Sequence, residues 1–299
     1  MTDQLPELSF LDLDGPVAYR SWDGPDDTTF VLVHGLGGSH LNWLPAAPGL
    51  SRLGRVLALD LPGFGWSPRD GRGSGLMDER RALSRFIAEK RTGRVVVCGN
   101  SLGGAIGVLQ AAVEPDTVDG LVLTGSVFPW VRGAPRPHPA VIAAFAVYGL
   151  PAAGDRFVQA RVRHLDPERM VRMGLRMVTA DPSSIPPELV TMNVDLATMR
   201  AGDPDAPQAF VDAARSLLRL GKRNDVAART LGRLRCPVLV LHGRRDRLVP
   251  VAFAERALDA HPDWRGRIFP DLGHAPQMEA PDRWVAEVED WCRVLLPPT

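Results

Sequence analysis

Short apolar segments of strand length alternate along the chain with segments in which apolar residues recur at helical spacing. Residues 29–34 (TFVLVH), 56–61 (VLALDL) and 94–98 (RVVVC) are almost continuously apolar, and residues 121–124 and 238–242 are similar. Such continuous apolar character is typical of parallel strands that are covered on both faces. Strands that alternate with helices predict an α/β fold in which helices flank a mostly parallel central sheet.

The first two apolar segments show a different pattern. Residues 8–13 and 17–22 are separated only by Asp14, Gly15 and Pro16, which are residue types that favour a tight turn. We therefore predict that these two strands form a hairpin and give the sheet an antiparallel edge.

The last helical segment has the clearest periodicity. Pro281 and Asp282 are residue types favoured in a first helical turn. Beyond them, apolar residues recur every three or four positions and predict a face that packs on the sheet: Trp284, Val285, Val288, Trp291, Cys292 and Leu295.

One connection between strands is far too long for a simple crossover. Residues 128–236 separate two predicted strands, whereas a strand-helix-strand unit needs about thirty residues. Within this connection, residues 156–178 and 205–220 have helical patterns, and loop-like segments precede each of them. We predict a core domain of residues 1–127 and 237–299, with residues 128–236 inserted as a helical cap or lid domain.

The segment 140–150 (AVIAAFAVYGL) in this insertion is apolar apart from the Tyr148 hydroxyl. Eleven residues cannot span a bilayer as a helix. Two interpretations remain open: a buried cap helix that only packs, or an apolar roof over a substrate pocket.

Composition excludes several classes of protein. The chain has 35 basic and 35 acidic side chains, so its formal net charge is zero, and an excess of cations for nucleic-acid binding is missing. No apolar run is long enough for a transmembrane helix, and the first residues lack the pattern of a secretory signal. The three cysteines form no paired motif for redox chemistry or metal binding, which favours a cytoplasmic protein without a metal: Cys98, Cys236 and Cys292.

Ser101 is the candidate nucleophile. It lies in Gly99-Asn100-Ser101-Leu102-Gly103, which matches G-x-S-x-G, follows the strand RVVVC and precedes a small-residue helix. This strand-turn-helix setting is the one that the motif requires, because a strained turn holds the hydroxyl clear of the sheet. A serine in an ordinary tight turn is the alternative interpretation.

A serine hydroxyl needs a base, and the base needs an orienting carboxylate. His274 follows a short apolar strand and precedes the final helix, and we predict it as the base. Asp246 follows the strand VLVLH at the sheet edge where sites of α/β folds gather, and we predict it as the acid. Asp271 is the weaker alternative, and a helix-capping role is the alternative interpretation of Asp246. The other histidines have simpler explanations. His34 and His242 end strands and line or brace loops, His40 and His261 lie in helical or loop segments, and His138 and His164 lie in the cap.

An attacked carbonyl becomes an oxyanion that needs two preorganised donors. Leu102, directly after the nucleophile, supplies one backbone amide, and the glycine loop at residues 34–38 supplies the other through Leu36, with Gly37 as the alternative. That loop could instead cradle a phosphate, but it contains neither glycine pattern typical of a nucleotide site.

The segments HGLGG, DLPGFGWS, GNSLGG, HGRRDRLVP and LGHAPQMEAP together resemble the α/β-hydrolase family, and specifically its capped, lipase- and esterase-like serine hydrolases. The resemblance covers the chain from about residue 30 to the C-terminus. It implies the same three residues, Ser101, Asp246 and His274, and a mobile helical lid that selects the substrate. Epoxide hydrolases and dehalogenases of this fold carry an aspartate nucleophile, which Ser101 disfavours.

These observations predict hydrolysis of carboxylic esters through an acyl-enzyme on Ser101, with no cofactor. The apolar cap segment and Trp130 indicate a small to medium hydrophobic substrate. Carbon-carbon bond hydrolysis of a diketone is the alternative, although such hydrolases typically have Ser-Gly-Pro-Gly where this chain has Leu36-Gly37-Gly38-Ser39. A non-catalytic binding protein of the same fold is the alternative from another class.

Overall fold

Eight strands form a single sheet in the computed structural model, which describes residues 5–127, 136–221 and 224–295. Along the sheet the strands are arranged in the order β1-β2-β4-β3-β5-β6-β7-β8. Their bounds are Ser9–Asp12 (β1), Pro16–Trp22 (β2), Thr28–Val33 (β3), Arg55–Leu59 (β4), Arg94–Asn100 (β5), Gly120–Thr124 (β6), Val238–Gly243 (β7) and Arg265–Phe269 (β8).

The strands pair as the apolar pattern predicts. The pairs from β4 to β8 are parallel, and every residue of β3, β6 and β7 is buried because helices cover both faces of the sheet. At one edge β1 pairs with β2 in an antiparallel hairpin, and β2 is also antiparallel to β4. The predicted α/β fold and its antiparallel edge are confirmed.

Helices follow most of the parallel strands and also fill the long connection between β6 and β7. Their bounds are Ala47–Leu50 (α1), Leu76–Lys90 (α2), Leu102–Val113 (α3), Pro139–Tyr148 (α4), Ala153–His164 (α5), Pro167–Val178 (α6), Pro187–Ala201 (α7), Ala206–Gly221 (α8), Asn224–Leu231 (α9), Ala252–Ala260 (α10), Pro276–Glu279 (α11) and Pro281–Leu295 (α12).

The predicted face of α12 packs on the sheet. Trp284 is fully buried, its ring lies 5.6 Å from that of Trp43, and its indole N–H donates to Thr124 Oγ1 at the end of β6. Cys98 is also fully buried, and Cys292 is partly buried and packs against the same core. Burial raises the pKa of Cys292 to about 12 and the pKa of Cys98 as well, so neither thiol is poised as a nucleophile.

The helices of the insertion between β6 and β7 differ from the sequence expectation. The single helix predicted over residues 156–178 is wrong: α5 ends at His164 and α6 begins at Pro167. Pro167 cannot continue a helix, and Asp166 caps the new one by accepting from the amide of Arg169. Helices α7 and α9 were not expected, and the apolar residues of α7 do not form a clear stripe.

The apolar segment that contains α4 does not form a buried helix. Val141 and Tyr148 are buried, but Ile142 is 42% exposed and Leu150 is 54% exposed. Helix α4 therefore covers its neighbours on one side and faces solvent on the other. That residues 128–236 form a separate cap domain stays a prediction.

Among the described residues, no single helix has the length and apolar composition of a membrane span. Helices α4 and α5 satisfy that test only as a pair, and the pair is bent by 113°.

Candidate active site

Ser101 occupies a sharp turn between β5 and α3. Its φ of 54° and ψ of −113° lie in a region that favours glycine over other residues. The Ser101 amide donates to the carbonyl of Thr124, and α3 begins at the next residue. The turn therefore holds a half-buried side chain in a strained backbone conformation, as the sequence motif predicts.

The glycines on either side of Ser101 are required by close packing of the backbone. A Cβ on Gly103 would lie 2.1 Å from the carbonyl oxygen of Val33, and one on Gly99 would lie 2.4 Å from the carbonyl oxygen of Gly103. Because no side chain fits at these distances, only glycine lets α3 start so close to β3 and β5.

Asp246 and His274 come together at the same edge of the sheet, from the loops after β7 and β8. His274 Nδ1 lies 2.7 Å from Asp246 Oδ2, and both side chains are buried. Asp246 Oδ1 accepts from the amides of Leu248 and Val249, so this carboxylate also caps its own turn. One oxygen of Asp246 thus contacts His274 and the other holds the turn that follows β7.

Asp271 lies elsewhere. Its exposed carboxylate forms an ion pair with Arg283 at 2.7 Å, near the start of α12. The structure therefore places Asp246, and not Asp271, against the His274 ring. His274 itself lies five residues beyond the end of β8, and the short helix α11 separates it from α12.

A second histidine also contacts Asp246. His242 Nε2 lies 3.2 Å from Asp246 Oδ2 and 2.9 Å from the carbonyl oxygen of Val249. Burial alone would raise the pKa of Asp246, but His274 and His242 together hold that pKa below its usual range. The Asp246 carboxylate is therefore kept ionised between two imidazoles.

The structure does not form every bond of a serine-histidine-aspartate relay. Within the described part of the chain, no hydrogen bond joins the Ser101 hydroxyl to the His274 ring, although such bonds often tighten only when substrate binds. The two residues are instead linked through Asn100, which precedes Ser101. Asn100 Nδ2 donates to the carbonyl oxygens of Thr124 and His274 at 3.0 and 3.1 Å.

The glycine loop after β3 lies directly beside Ser101. A Cβ on Gly35 would be 3.2 Å from the Ser101 Cβ. In the part of the chain that the structure describes, the amides of Leu36 and Leu102 donate to no protein acceptor. The Leu102 amide also lies at the N-terminus of α3, where the helix dipole favours negative charge. Both amides are thus available to a negatively charged oxygen.

Buried histidines brace this loop. His34 Nδ1 lies 2.7 Å from the carbonyl oxygen of Gly35, and its Nε2 accepts from the amide of Leu61. Burial lowers the pKa of His34, so the ring stays neutral and both nitrogens serve the loop. His40 pairs with the buried Asp60 carboxylate at 3.0 Å. The contacts of His34 agree with the bracing role expected for it.

Side chains of the insertion pack over the same loop. The Phe210 ring would lie 3.1 Å from a Cβ on Gly37, and Leu36 packs with Phe210 against Tyr148 and Val158. Tyr148 and Phe210 meet edge to face, with ring centroids 5.2 Å apart. Apolar and aromatic side chains therefore cover the loop that carries the Leu36 amide. Trp130, which the sequence analysis singled out, lies outside the described residues.

Sequence reasoning missed the residues that hold the His274 backbone. Asn100 was treated as the variable position of the motif, and Val178 and Glu279 were not considered, although each contacts the loop of His274 or the residue before it. Nothing local in the sequence points to partners that lie so far away along the chain. No cluster of three or more potential metal ligands is present among the described residues.

Comparison with known proteins places this geometry in a family. A model of the alpha/beta hydrolase family matches residues 30–288. The chain belongs to the alpha/beta hydrolase family. The resemblance inferred from the sequence is thereby confirmed.

Relatives of this alpha/beta hydrolase include proteins named as esterases and proteins named as hydrolases of dienoic acids. It is 28% identical to the pimeloyl-(acyl-carrier protein) methyl ester esterase of Nitrosomonas europaea, over 88% of this chain and 94% of that protein. It is 29% identical to the 2-hydroxy-6-oxononadienedioate/2-hydroxy-6-oxononatrienedioate hydrolase of Cupriavidus pinatubonensis, over 89% of this chain and 88% of that protein. A thermophilic esterase from Thermogutta terrifontis shares the fold, with a TM-score of 0.68 and 23% identity over 98% of this chain and 99% of that one.

Proposed function

We propose that this alpha/beta hydrolase cleaves carboxylic esters of small to medium hydrophobic substrates through an acyl-enzyme on Ser101. The observation that carries the proposal is the 2.7 Å contact between His274 Nδ1 and Asp246, beside a serine held in a strained turn. Because Nδ1–H donates to the carboxylate, the other ring nitrogen, Nε2, is left without a proton and free to act as a base.

The chemical steps follow from these positions. His274 Nε2 takes the proton of the Ser101 hydroxyl as the serine oxygen attacks the ester carbonyl. The carbonyl oxygen becomes negative and accepts from the amides of Leu36 and Leu102. His274 then gives its proton to the departing alcohol, which leaves the acyl group on Ser101. Asp246 stays ionised throughout and stabilises the imidazolium.

Water completes the cycle in the same site. His274 Nε2 removes a proton from a water molecule whose oxygen attacks the acyl carbonyl. The bond to Ser101 breaks, the serine oxygen regains its proton from His274, and the carboxylic acid leaves. None of these steps uses a cofactor.

The insertion supplies the proposed specificity. We assign residues 128–236 as a cap over the core of residues 1–127 and 237–299, because Phe210 and Tyr148 pack over the glycine loop beside Ser101. Apolar and aromatic side chains next to the reacting centre favour an uncharged, hydrophobic acyl or alcohol group. A cytoplasmic location stays a prediction of the sequence.

Carbon-carbon bond hydrolysis is the second candidate. It is favoured by relatives named as hydrolases of 2-hydroxy-6-oxo dienoic acids, which match most of this chain at 29% identity. The same serine, histidine and aspartate could serve either reaction, so turnover of the two substrate classes has to be measured to distinguish them.

A substrate panel separates the candidates. Purified wild-type protein and Ser101→Ala are compared on nitrophenyl esters from acetyl to decanoyl and on an acidic and an aromatic diketone. We expect the wild type to hydrolyse the esters, and we expect Ser101→Ala to lose on the order of 10⁴-fold or more in kcat. Turnover of a diketone without ester hydrolysis would favour the second candidate, and no turnover of either class would favour a binding protein.

A further inference from the structure

The backbone of His274 is held from two opposite sides. Its N–H donates to the carbonyl oxygen of Val178 at 2.8 Å, and its own carbonyl oxygen accepts from Asn100 Nδ2 at 3.1 Å. Val178 is the last residue of α6 in the insertion, whereas Asn100 directly precedes Ser101. The peptide groups of the proposed base therefore connect the insertion to the strand that carries the proposed nucleophile.

Glu279 joins the same two segments through its side chain. Oε1 accepts from the amide of Gly273 at 2.9 Å, and Oε2 accepts from the amide of Ala180 at 2.7 Å. One carboxylate thus bridges residues 178–180 and residues 273–274. The segments are in close contact, because a Cβ on Gly273 would lie 2.6 Å from the Ala180 nitrogen.

The Glu279 carboxylate is partly buried and is held by backbone amides. Among the described residues no cation pairs with Glu279, and burial raises its pKa while the amides of Ala180 and Gly273 lower it. Each of its two oxygens accepts from one backbone amide. The side chain is therefore tied to the backbone of the two segments and not to a cation.

Arg247 holds the insertion segment from the other side of the site. Its guanidinium donates to the carbonyl oxygens of Arg176 and Thr179, and Arg247 directly follows Asp246. The end of α6 is therefore tied to the loop of the proposed acid as well as to the loop of the proposed base.

We propose that Glu279 is a positioning residue whose carboxylate fixes the Gly273–His274 loop against the end of α6, so that the alignment of the His274 ring depends on the position of the insertion. This inference rests on the proposed function, since it concerns the base of that reaction. Glu279 does not touch the substrate or the reacting atoms; it acts through the peptide groups that flank His274.

The test is Glu279→Gln, which keeps the shape of the side chain but turns an N–H group toward one of the two amides. We expect kcat for a nitrophenyl ester to fall about 10- to 100-fold with KM changed by no more than about twofold, because the ring and not the substrate pocket is displaced. The matched control is Glu168→Gln, the same change at an exposed position of α6, which should keep wild-type kinetics.

A spectroscopic readout follows the ring itself. The proton between His274 Nδ1 and Asp246 should give a low-field proton resonance, and Asp246→Asn identifies it by abolishing it. We expect Glu279→Gln to shift or broaden this resonance, and Glu168→Gln to leave it unchanged.

A double-mutant cycle tests whether Glu279 and Arg247 act on the same segment. If Glu279 and Arg247 both act by fixing residues 178–180, then Arg247→Met and Glu279→Gln together should lose less activity than the product of their separate losses. Independent, multiplicative losses would contradict a shared action on this segment.

The remaining outcomes are also decisive. If Glu279→Gln lowers the melting temperature but keeps kcat and the low-field resonance, then Glu279 only stabilises the fold and the inference is overturned. If the wild type hydrolyses no ester and no diketone, the proposed function fails separately, and the low-field resonance alone decides whether Glu279 positions the His274 ring.

Discussion

Asn100, which directly precedes Ser101, donates a hydrogen bond from Nδ2 to the carbonyl oxygen of His274 at 3.1 Å. The same amide group also donates to Thr124 at the end of β6. The proposed nucleophile and the proposed base are therefore held in register by backbone and side-chain contacts that do not use the reacting atoms. Preorganisation of this kind lowers the barrier, because little rearrangement is needed when substrate arrives.

The assignment of the acid can be tested with two matched asparagine variants. Asp246→Asn should lower kcat by on the order of 10³- to 10⁴-fold, because the neutral amide no longer selects the required tautomer of His274. Asp271→Asn should stay within about twofold of the wild type, since Asp271 pairs with Arg283 on the surface. A large loss in Asp271→Asn with little loss in Asp246→Asn would reverse the assignment.

The strained backbone at Ser101 predicts an unusual order of stabilities. Because φ is 54°, Ser101→Gly should be more stable than Ser101→Ala by about 1 kcal/mol in chemical denaturation. At Glu89, on the exposed side of α2, the order should be reversed, because alanine favours a helix over glycine. An alanine variant at Ser101 as stable as the glycine variant would show that the turn is not strained.

The close packing behind the turn predicts the effect of adding one methyl group. Gly103→Ala should lower the free energy of unfolding by more than about 3 kcal/mol, because its Cβ would lie 2.1 Å from the Val33 carbonyl oxygen. Gly174→Ala in α6 has no neighbour within 4 Å and should raise that free energy by roughly 0.5–1 kcal/mol. Equal effects of the two substitutions would contradict this packing.

Glu79 predicts a pH dependence of stability. It is fully buried in the first turn of α2, and among the described residues neither carboxylate oxygen has a hydrogen-bond partner. Burial, with Asp78 adding to it, raises the pKa of Glu79 well above its usual range. The folded state therefore binds this proton more tightly than the unfolded state, so the contribution of Glu79 to stability falls as pH rises above the unfolded pKa of about 4.3.

The measurement is urea unfolding of the wild type and Glu79→Gln from acidic to neutral pH. The gain in unfolding free energy from Glu79→Gln should grow by about 1.4 kcal/mol per pH unit above pH 4.3, until the folded-state pKa is reached. The exposed Glu188→Gln, also in a first helical turn, should show no such trend. A gain that does not change with pH would refute a raised pKa for Glu79.

The sequence allowed the sheet and the positions of the candidate site residues at strand ends to be predicted for physical reasons. Strands buried on both faces must be continuously apolar, as in β3 and β7, so they are visible without any knowledge of the fold. The turn at Ser101 needs glycine at Gly99 and Gly103 because backbones pass close by, and that requirement leaves a recognisable spacing. The site side chains lie at the ends of these strands.

The insertion and the outer contacts of the site could not be predicted in the same way. The break at Asp166 and Pro167 depends on a local cap that competes with a continuous helical pattern, and the apolar residues of α7 do not form a stripe. The contact of Val178 with His274 uses only backbone atoms, which carry no sequence signal. Glu279 was part of a family-like segment, but its two partners lie in different loops.

The central claim is that Ser101 is the nucleophile. The most direct measurement is peptide mass spectrometry after reaction with a fluorophosphonate, applied to the wild type, Ser101→Ala and His274→Ala. The account predicts one adduct, on Ser101, in the wild type, no adduct in Ser101→Ala, and strongly slowed labelling in His274→Ala. An adduct on another residue, or labelling of Ser101→Ala at the wild-type rate, would contradict it.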